Sequence, residues 1–485
     1  MLPPDEEASA LDDAVNALRR RAPEMSADPT ITHGQRRVLL GLLALVVVGL
    51  TLDVQATLVA LISVAIVLYL AALVFRIELI RRALDAPPMM TVTDEEARSV
   101  EPEDLPVFTV LVPLYREPSV VPALLTALEA IEYPPDRLDV KILLEADDHE
   151  TIAAMRHAPS SRVSSPLQLE LLVVPPGEPR TKPKACNYGL AVARGTYLTI
   201  YDAEDRPDPL QLRRAAVVFR DHPAVTCLQA RLSYYNPEQN LLTRWFTTEY
   251  SVWFQMLLPG LSALGAPIPL GGTSNLIRRE TLEEVGAWDP FNVTEDADLG
   301  IRLHRTNRRV AILDSTTLEE ANSDAINWVK QRSRWYKGYL QTWLVHLREP
   351  RRLWREVGPS GFVSFNLFVG GTPILTFLNP VFWFLTVLWF LDEPPWLARL
   401  FPIPMYYAAL LCWLGGNLAV LYSNLVAVRD AKMPRLAVAV LASPIYWLLM
   451  SAAAVKAVVQ LARAPAFWEK TTHGLGPPGS GESTP

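Results

Sequence analysis

The chain has 485 residues, of which 50% are hydrophobic and 20% are charged. This mixture is unusual for a purely soluble enzyme and too polar for membrane spans alone, so it indicates a water-facing domain joined to apolar segments. The net charge of -7 and the lack of a dominant basic block exclude a nucleic-acid-binding protein. Three separated cysteines (Cys186, Cys227 and Cys412) indicate a reducing compartment rather than a disulfide or zinc framework.

The first quarter of the chain predicts a tail followed by two membrane spans. Residues 1–36 are acidic, contain prolines and lack a secretory signal, so we expect a partly disordered cytosolic tail. Residues 38–75 are almost wholly apolar, which is long enough for two helices of roughly 20 residues that turn near Asp53. Because basic residues flank this stretch on both sides, we predict two transmembrane helices in 37–77 with both ends in the cytosol.

A water-facing α/β domain is predicted at 83–320. Short runs rich in β-branched residues alternate with helical stretches. The runs lie at 107–113, 140–144, 167–174, 197–201 and 225–232, and the helical stretches at 120–131, 184–194 and 209–220. This alternation predicts a mostly parallel sheet covered on both faces. Ligands of such sheets lie beyond the carboxyl ends of the strands, and acidic residues follow several of these strands.

Two acidic groups follow predicted strands. Asp202 and Glu204 are two residues apart, so their side chains leave the strand on one face, and Asp205 follows directly. Such carboxylates suit Mg²⁺ or Mn²⁺ that holds substrate phosphates, although an acidic loop that caps the next helix has the same composition. Asp147 and Asp148 are suited to bind a base or ribose, or to cap a helix.

Two further motifs lie nearer the C-terminus. Thr294-Glu295-Asp296 precedes a helix, where the acids either stabilise the helix start or supply a general base. Gln331, Arg334 and Trp335 share one face of a helix within 321–358, which we predict to be amphipathic and interfacial. Arginine suits a diphosphate and tryptophan a sugar ring, but both residues also anchor helices at a membrane surface.

Apolar segments return at 362–391, 406–428 and 436–461. They predict three or four transmembrane helices within 361–462, because Gly370-Gly371-Thr372-Pro373 interrupts the first. A tail follows at 463–485.

The order of these motifs resembles the family 2 glycosyltransferases. The matching residues are Pro113 to Glu117, Asp147-Asp148, Lys184-Ala185-Cys186-Asn187, Asp202-x-Glu204, Thr294-Glu295-Asp296 and Q-x-x-R-W at Gln331 to Trp335. Q-x-x-R-W narrows the resemblance to the membrane-integrated group of cellulose, chitin, hyaluronan and poly-N-acetylglucosamine synthases.

The resemblance implies a GT-A fold and sugar transfer with inversion, with these roles. The residues expected to bind the donor are Pro113, Tyr115, Glu117, Asp147, Lys184, Asp202 and Arg334. Asp296 is expected to be the general base, with Glu295 beside it, and the acceptor is expected at Trp335, Gln331, Gly272, Thr273 and Ser274. Mg²⁺ or Mn²⁺ is expected at Asp202 with Glu204 or Asp205, because Asp-x-Glu-Asp replaces the family's Asp-x-Asp.

A fainter resemblance links 468–474 (Trp-Glu-Lys-Thr-Thr-His-Gly) to a gating loop that closes over the donor in the cytosol. If each C-terminal apolar segment crosses once, the basic loop 429–435 lies inside and the tail outside, which conflicts with a cytosolic gating loop. We expect the tail to be cytosolic, since the motif is the more specific signal.

Three functional hypotheses follow. The first is a processive polysaccharide synthase of the cell membrane that uses a nucleotide sugar, most simply a UDP-sugar, extends a chain through its own spans and works with an accessory export protein. The second is a membrane transferase that adds one sugar to a lipid. The third is a non-catalytic membrane protein, which predicts the loss of key carboxylates, yet Asp202 and Asp296 are present.

Overall fold

A computed structural model describes residues 4–85, 89–158, 168–465 and 467–470. The strands are β1 (Met89–Met90), β2 (Phe108–Leu114), β3 (Leu138–Glu145), β4 (Leu169–Val174), β5 (Tyr197–Ile200), β6 (Val225–Tyr234), β7 (Asn275–Arg278) and β8 (Arg309–Glu319). The helices up to the fifth strand are α1 (Pro4–Arg21), α2 (His33–Leu52), α3 (Val54–Asp85), α4 (Asp94–Arg98), α5 (Val121–Glu129), α6 (His149–His157) and α7 (Lys182–Leu190).

The helices that follow the fifth strand include the long apolar ones. They are α8 (Gln211–Asp221), α9 (Leu241–Val252), α10 (Leu258–Leu264), α11 (Arg279–Glu284), α12 (Glu295–Arg305), α13 (Ala325–His346), α14 (Pro350–Phe365), α15 (Gly371–Asp392), α16 (Pro395–Leu400), α17 (Ile403–Asp430), α18 (Ala437–Leu441) and α19 (Ser443–Arg463).

The predicted mostly parallel sheet is confirmed. In the described residues the strands lie in the order β1-β8-β6-β7-β5-β2-β3-β4, and only β7 runs antiparallel to its neighbours. Neither β7 nor β8 was predicted from the sequence. β7 has only four residues, and polar ones lie at both of its ends, so it carries no apolar run that a pattern could find.

Helices cover both faces of the sheet, so its central strands are buried on each side. In β2, Val110 and Val112 lie in one apolar core, whereas Leu111 lies in the other, as the two-residue period of a strand requires. This burial explains why β2 and β3 read as nearly continuous apolar runs. The arrangement turns the carboxyl ends of β2, β3 and β5 towards one edge of the sheet.

The N-terminal segment is ordered, and the expected partial disorder is wrong for residues 4–32. Ala14 and Leu18 on α1 are buried, and the Asn187 side chain at α7 donates a hydrogen bond to the Ala14 carbonyl at 2.9 Å. Farther along, the carboxylate of Asp289 accepts hydrogen bonds from the Ala27 amide and from Ser26 Oγ. The acidic composition of α1 obscures an amphipathic pattern in its sequence, in which small and apolar residues recur every four positions.

Five helices of the described residues are long and apolar enough to cross a membrane. They are α2, α3, the continuous stretch Pro350–Asp392, α17 and α19. Within that stretch the helix breaks at Gly358, whose φ of 70° lies in the left-handed region that favours glycine. α2 and α3 meet at Asp53, which ends the first helix and whose carboxylate accepts a hydrogen bond from the Ala56 amide.

Candidate functional site

A cavity of about 1000 Å³ joins the carboxyl edge of the sheet to the apolar helices. At the sheet, its wall includes Asp202, Glu204, Asp296 and the Q-x-x-R-W residues of α13. It then continues between α3, α15 and α17. One continuous space therefore contacts both the predicted catalytic carboxylates and the candidate membrane helices.

The first turn of α12 places two acids in this cavity. Asp296 Oδ1 accepts a hydrogen bond from the Ala297 amide at 2.8 Å, which fixes the carboxylate at the helix start. Burial raises the pKa of Asp296, while the Lys182 and Arg334 charges oppose that rise. Burial and the neighbouring Asp296 charge raise the pKa of Glu295 to about 8, so this carboxyl is protonated at neutral pH.

Lys182 lies at the centre of the polar wall. Its Nζ is 2.5 Å from Asp202 Oδ1 and donates a hydrogen bond to the Gly272 carbonyl at 2.7 Å. Burial lowers the pKa of Lys182, but the neighbouring acids, Asp202 foremost, outweigh this effect, so the net shift is upward and the ammonium stays charged. Position 272 has little room for a side chain, because a Cβ there would lie 3.3 Å from Asp296 Oδ2.

The acidic motif divides into cavity-facing and inward-facing carboxylates. Asp205 is 2% exposed, and its Oδ2 accepts hydrogen bonds from the Asp202 amide and from Thr273 Oγ1. Asp205 therefore fixes the loop, whereas Asp202 and Glu204 line the cavity. Burial and the nearby carboxylates of the motif raise the pKa of Glu319 well above its usual range, so Glu319 joins this acidic cluster.

The described residues contain no group of three or more His, Cys, Asp or Glu side chains arranged to hold a metal. Asp202 and Glu204 nevertheless fit a hard cation, since Mg²⁺ takes one or two carboxylates and completes its shell with substrate phosphates and water. Asp205 Oδ1 is buried without a hydrogen-bond partner in the described structure, which suits a cation close to the motif.

The Q-x-x-R-W face of α13 also lines the cavity. The Arg334 guanidinium lies 4.6 Å from the ring centroid of Trp468, and the Trp335 ring stacks near Tyr250 at 6.1 Å between centroids. Gln331 Oε1 and Arg334 Nε are buried without partners within the described part of the chain. Unpaired polar atoms on a cavity wall indicate a ligand that completes their hydrogen bonds.

Some of the predicted donor residues line the cavity, and others lie outside its wall. Pro113, near the end of β2, lines the cavity together with Tyr115 and Glu117, which follow the strand. Asp147 lies outside it but pairs with Arg180, which is in the wall, at 2.8 Å. Lys184, Thr273 and Ser274 do not line it: Lys184 Nζ pairs with Glu145 Oε2 at 2.9 Å, and Ser274 Oγ donates to Thr317 Oγ1 at 2.7 Å.

The C-terminal segment closes one side of the cavity. Trp468 and Lys470 are in the wall, and Lys470 Nζ donates a hydrogen bond to the Tyr115 carbonyl and lies 3.6 Å from Glu117 Oε1. Glu469 is held by Lys456 at 2.8 Å. The remainder of the predicted gating loop, 471–474, lies outside the described residues.

Several charged residues of the wall, among them Lys182, Glu249 and Arg76, are not among the predicted site residues. Lys184 was predicted in place of Lys182 because Lys184 matches the family motif. Glu249 and Arg76 also line the cavity, but each lies among apolar residues of its helix and belongs to no motif. A charged residue within an apolar helix was the one available signal.

The sequence model described as "Glycosyl transferase family group 2" matches residues 197–455. A β-monoglucosyldiacylglycerol synthase of Synechocystis sp. is 30% identical over 274 residues, covering 55% of this chain and 56% of that protein. A probable glycosyltransferase of Bacillus subtilis is 25% identical over 240 residues, covering 49% of this chain and 56% of that protein. The chain thus spans just over half the length of these relatives.

Among solved structures, a mannosyltransferase from Pyrobaculum calidifontis in complex with GDP-Man and Mn²⁺ matches with a TM-score of 0.51 and 20% identity. The match covers 80% of this chain and 99% of that one. This likeness confirms the expected GT-A type of fold for the sheet domain.

Proposed function

Because the chain belongs to glycosyl transferase family group 2, we propose that this glycosyltransferase moves one sugar from a nucleotide-sugar donor to a membrane lipid. The observation that carries the proposal is the continuous cavity, which contacts Asp202, Asp296 and Arg334 at one end and apolar helices at the other. The diacylglycerol named for the Synechocystis relative supports a lipid acceptor.

The proposed reaction is a single displacement with inversion at the anomeric carbon. The acceptor hydroxyl oxygen forms the new bond to that carbon, its proton passes to Asp296, and the bond from the anomeric carbon to the diphosphate breaks. The leaving nucleoside diphosphate keeps the electron pair. Lys182 and Arg334, both in the wall, stabilise its developing negative charge.

A divalent cation, Mg²⁺ or Mn²⁺, would be held by Asp202 and Glu204 and would supply Lewis-acid stabilisation of the diphosphate. Asp202 is currently paired with Lys182 at 2.5 Å, so a bound cation and the lysine would share or exchange this carboxylate. Glu295, kept neutral by its raised pKa, limits the negative charge next to the donor.

The membrane part of the cavity suits acyl chains. Its wall is mainly apolar and includes Leu73 from α3, Phe382 from α15 and Leu410 from α17. Several of its polar side chains are bonded within the protein; for example, the Tyr69 hydroxyl donates to Asn379 Oδ1 at 2.6 Å. Apolar walls bind hydrocarbon through the hydrophobic effect, whereas a sugar chain requires many hydrogen-bonding groups.

We further propose that α19 lies along the catalytic side of the membrane instead of crossing it. Near its start, the Tyr446 hydroxyl donates to Glu249 Oε2 at 2.6 Å, and just past its end the Pro465 carbonyl accepts from Gln341 at 3.1 Å. Both ends of α19 thus contact helices joined to the sheet domain, α9 and α13. The ends of a crossing helix would lie on opposite sides of a core about 30 Å thick.

This arrangement leaves α2, α3, α15 and α17 as the crossing helices. The basic loop 429–435 and the C-terminal tail then both lie on the cytosolic side with the catalytic domain, which removes the conflict between the two sequence signals. The fit of Lys470 against Tyr115 supports this orientation.

Labelling of one introduced cysteine at a time tests this topology in a Cys412→Ser background, which keeps only the buried Cys186 and Cys227. We expect an impermeant maleimide to label Glu393→Cys on intact cells, and to label Lys432→Cys and Arg463→Cys only after permeabilisation. These three positions are exposed. Labelling of Arg463→Cys from outside would mean that α19 crosses the membrane.

A processive polysaccharide synthase of the cellulose and hyaluronan synthase type is the second candidate. The specific observation that favours it is the contact between Trp468, in the predicted gating loop, and Arg334, a predicted donor residue. Tryptophans in the membrane part of the cavity, Trp383, Trp389 and Trp413, are surfaces on which sugar rings stack. An accessory export protein belongs only to this candidate.

Purified protein in nanodiscs, given radiolabelled nucleotide sugars with and without Mg²⁺ or Mn²⁺, tests the proposal. We expect metal-dependent transfer of one sugar into the organic phase, and a rate about 10²–10⁴-fold lower for Asp296→Asn, because the general base is lost. Asp221→Asn, an exposed acid outside the cavity, is the matched control. A high-molecular-weight aqueous product would overturn the lipid proposal in favour of the second candidate.

A further inference from the structure

An arginine lies in the cavity wall between its catalytic and apolar parts. Arg76 is on the last three turns of α3, one turn beyond Leu73 and one turn before Leu79, and all three residues line the cavity. The preceding turns of α3 line the apolar part through Ile66 and Tyr69. Arg76 therefore lies at the catalytic end of the space that we assign to acyl chains.

Within the described residues, Arg76 makes no hydrogen bond or ion pair, and its Nε is a buried atom without a partner. The other basic residues of this helix end differ. Arg81 and Arg82 both pair with Glu78, at 2.8 and 2.7 Å, and neither residue lines the cavity. Unpaired charges in membrane helices are rare and mark substrate pathways, because their cost is otherwise uncompensated.

Glu249 is the acid that acts electrostatically on Arg76, but its charge is already matched. Glu249 Oε2 accepts a hydrogen bond from Arg332 at 2.5 Å and from the Tyr446 hydroxyl at 2.6 Å. Arg332 in turn lies 4.6 Å from the Trp335 ring centroid. With two guanidinium groups and one carboxylate, this part of the wall carries one excess positive charge.

We infer that Arg76 binds the phosphate of the acceptor lipid, so that the acceptor is an anionic, phosphate-bearing lipid rather than a neutral one. A phosphate would neutralise the excess charge and accept hydrogen bonds from the planar guanidinium, including its unpaired Nε. The acyl chains would then extend along Leu73 and Ile66. This inference rests on the proposed lipid acceptor, and it narrows the substrate class of the same cavity.

Two chemical sources of the phosphate are distinguishable. In a phospholipid with a free hydroxyl, the phosphate only anchors the lipid, and the hydroxyl loses its proton to Asp296 as the glycosidic bond forms. In a polyprenyl phosphate, the phosphate oxygen itself attacks the anomeric carbon and carries no proton to remove. Transfer that Asp296→Asn abolishes identifies the first source, and transfer that survives this substitution identifies the second.

The test compares phosphatidylglycerol, a polyprenyl phosphate and dioleoylglycerol as acceptors in phosphatidylcholine nanodiscs. We expect wild type to prefer a phosphate-bearing acceptor, and Arg76→Gln to raise its KM at least tenfold with little change in kcat. Arg76→Lys, which keeps the charge, should recover part of the loss. Arg81→Gln, on the same helix but paired outside the cavity, should match wild type.

Donor hydrolysis without acceptor serves as the folding control. If Arg76→Gln lowers hydrolysis and every transfer reaction equally, its role is structural and the inference is overturned. If wild type uses only dioleoylglycerol and Arg76→Gln is unaffected, the inference is also overturned, while the lipid-transferase proposal stands. A polymeric product with no labelled lipid would overturn both.

Discussion

At the scale of single residues, neighbouring acids on α12 have different charge states. Glu295 is 5% exposed beside Asp296, and its pKa is about 8 because burial and the second carboxylate both disfavour its charge. Lys182 and Arg334 act in the opposite direction. The pair thus separates into a neutral carboxylic acid and a carboxylate that is available as a base.

This separation predicts a pH-dependent stability. The folded state keeps the Glu295 proton up to about pH 8, whereas an unfolded glutamate loses it near pH 4.5. The raised pKa therefore stabilises the folded state fully below about pH 4.5, and this stabilisation is lost as the pH rises towards about 8. Glu295→Gln has no charge to bury, so we expect its melting temperature, relative to wild type, to rise by about 2 °C or more between pH 6 and pH 8.

Differential scanning fluorimetry at several pH values measures this difference. Glu280→Gln, an exposed acid on the surface helix α11, should show no such trend. Parallel changes of the two melting temperatures between pH 6 and pH 8 would mean that Glu295 is already ionised in the folded protein.

At the scale of elements, the N-terminal helix α1 braces the segment that leads to α12. Leu18 is 3% exposed and contacts Gly286, where a Cβ would lie 2.7 Å from Leu18 Cδ1. Three residues later, Asp289 accepts hydrogen bonds from the chain that follows α1. The N-terminal segment thereby fixes the start of the loop that ends at Thr294.

We expect Leu18→Asp to detach α1, because it places a charge where a leucine is buried. Large-to-small substitutions of buried leucine already cost about 2–5 kcal/mol, so the segment 4–32 should become sensitive to proteases and transfer should slow. Ala17→Asp, at an exposed position on the same helix, is the matched control and should behave like wild type. Equal protease resistance of the two variants would show that α1 is not held by Leu18.

Most of the parallel sheet was predictable because β2, β3 and β6 are buried on both faces and therefore read as apolar runs. The candidate catalytic motifs could be predicted at the ends of these strands for the same reason. The sequence could not show whether Lys182 or Lys184 lies in the candidate site, since both flank Pro183. Only the fold decides which of the two reaches Asp202. It also could not reveal that Asp205 turns towards Thr273, because this depends on a hydrogen bond across 68 residues.

At the scale of the whole molecule, one cavity connects the sheet to the candidate membrane helices. α3 contributes one helix face to it, so neighbouring residues of α3 point to different surroundings. Leu73 lines the cavity, whereas Val74 is 60% exposed on the outer surface. These two apolar residues are adjacent, and they allow the cavity to be blocked without changing the chemistry of the helix.

The most direct measurement is therefore the yield of labelled lipid from Leu73→Trp compared with Val74→Trp, with donor hydrolysis measured in parallel. We predict that Leu73→Trp loses at least nine-tenths of lipid transfer but keeps its hydrolysis, because the larger ring fills the acyl space and leaves the donor site intact. Val74→Trp should retain both activities. Normal lipid transfer by folded Leu73→Trp would contradict the claim that the acceptor lipid occupies this cavity.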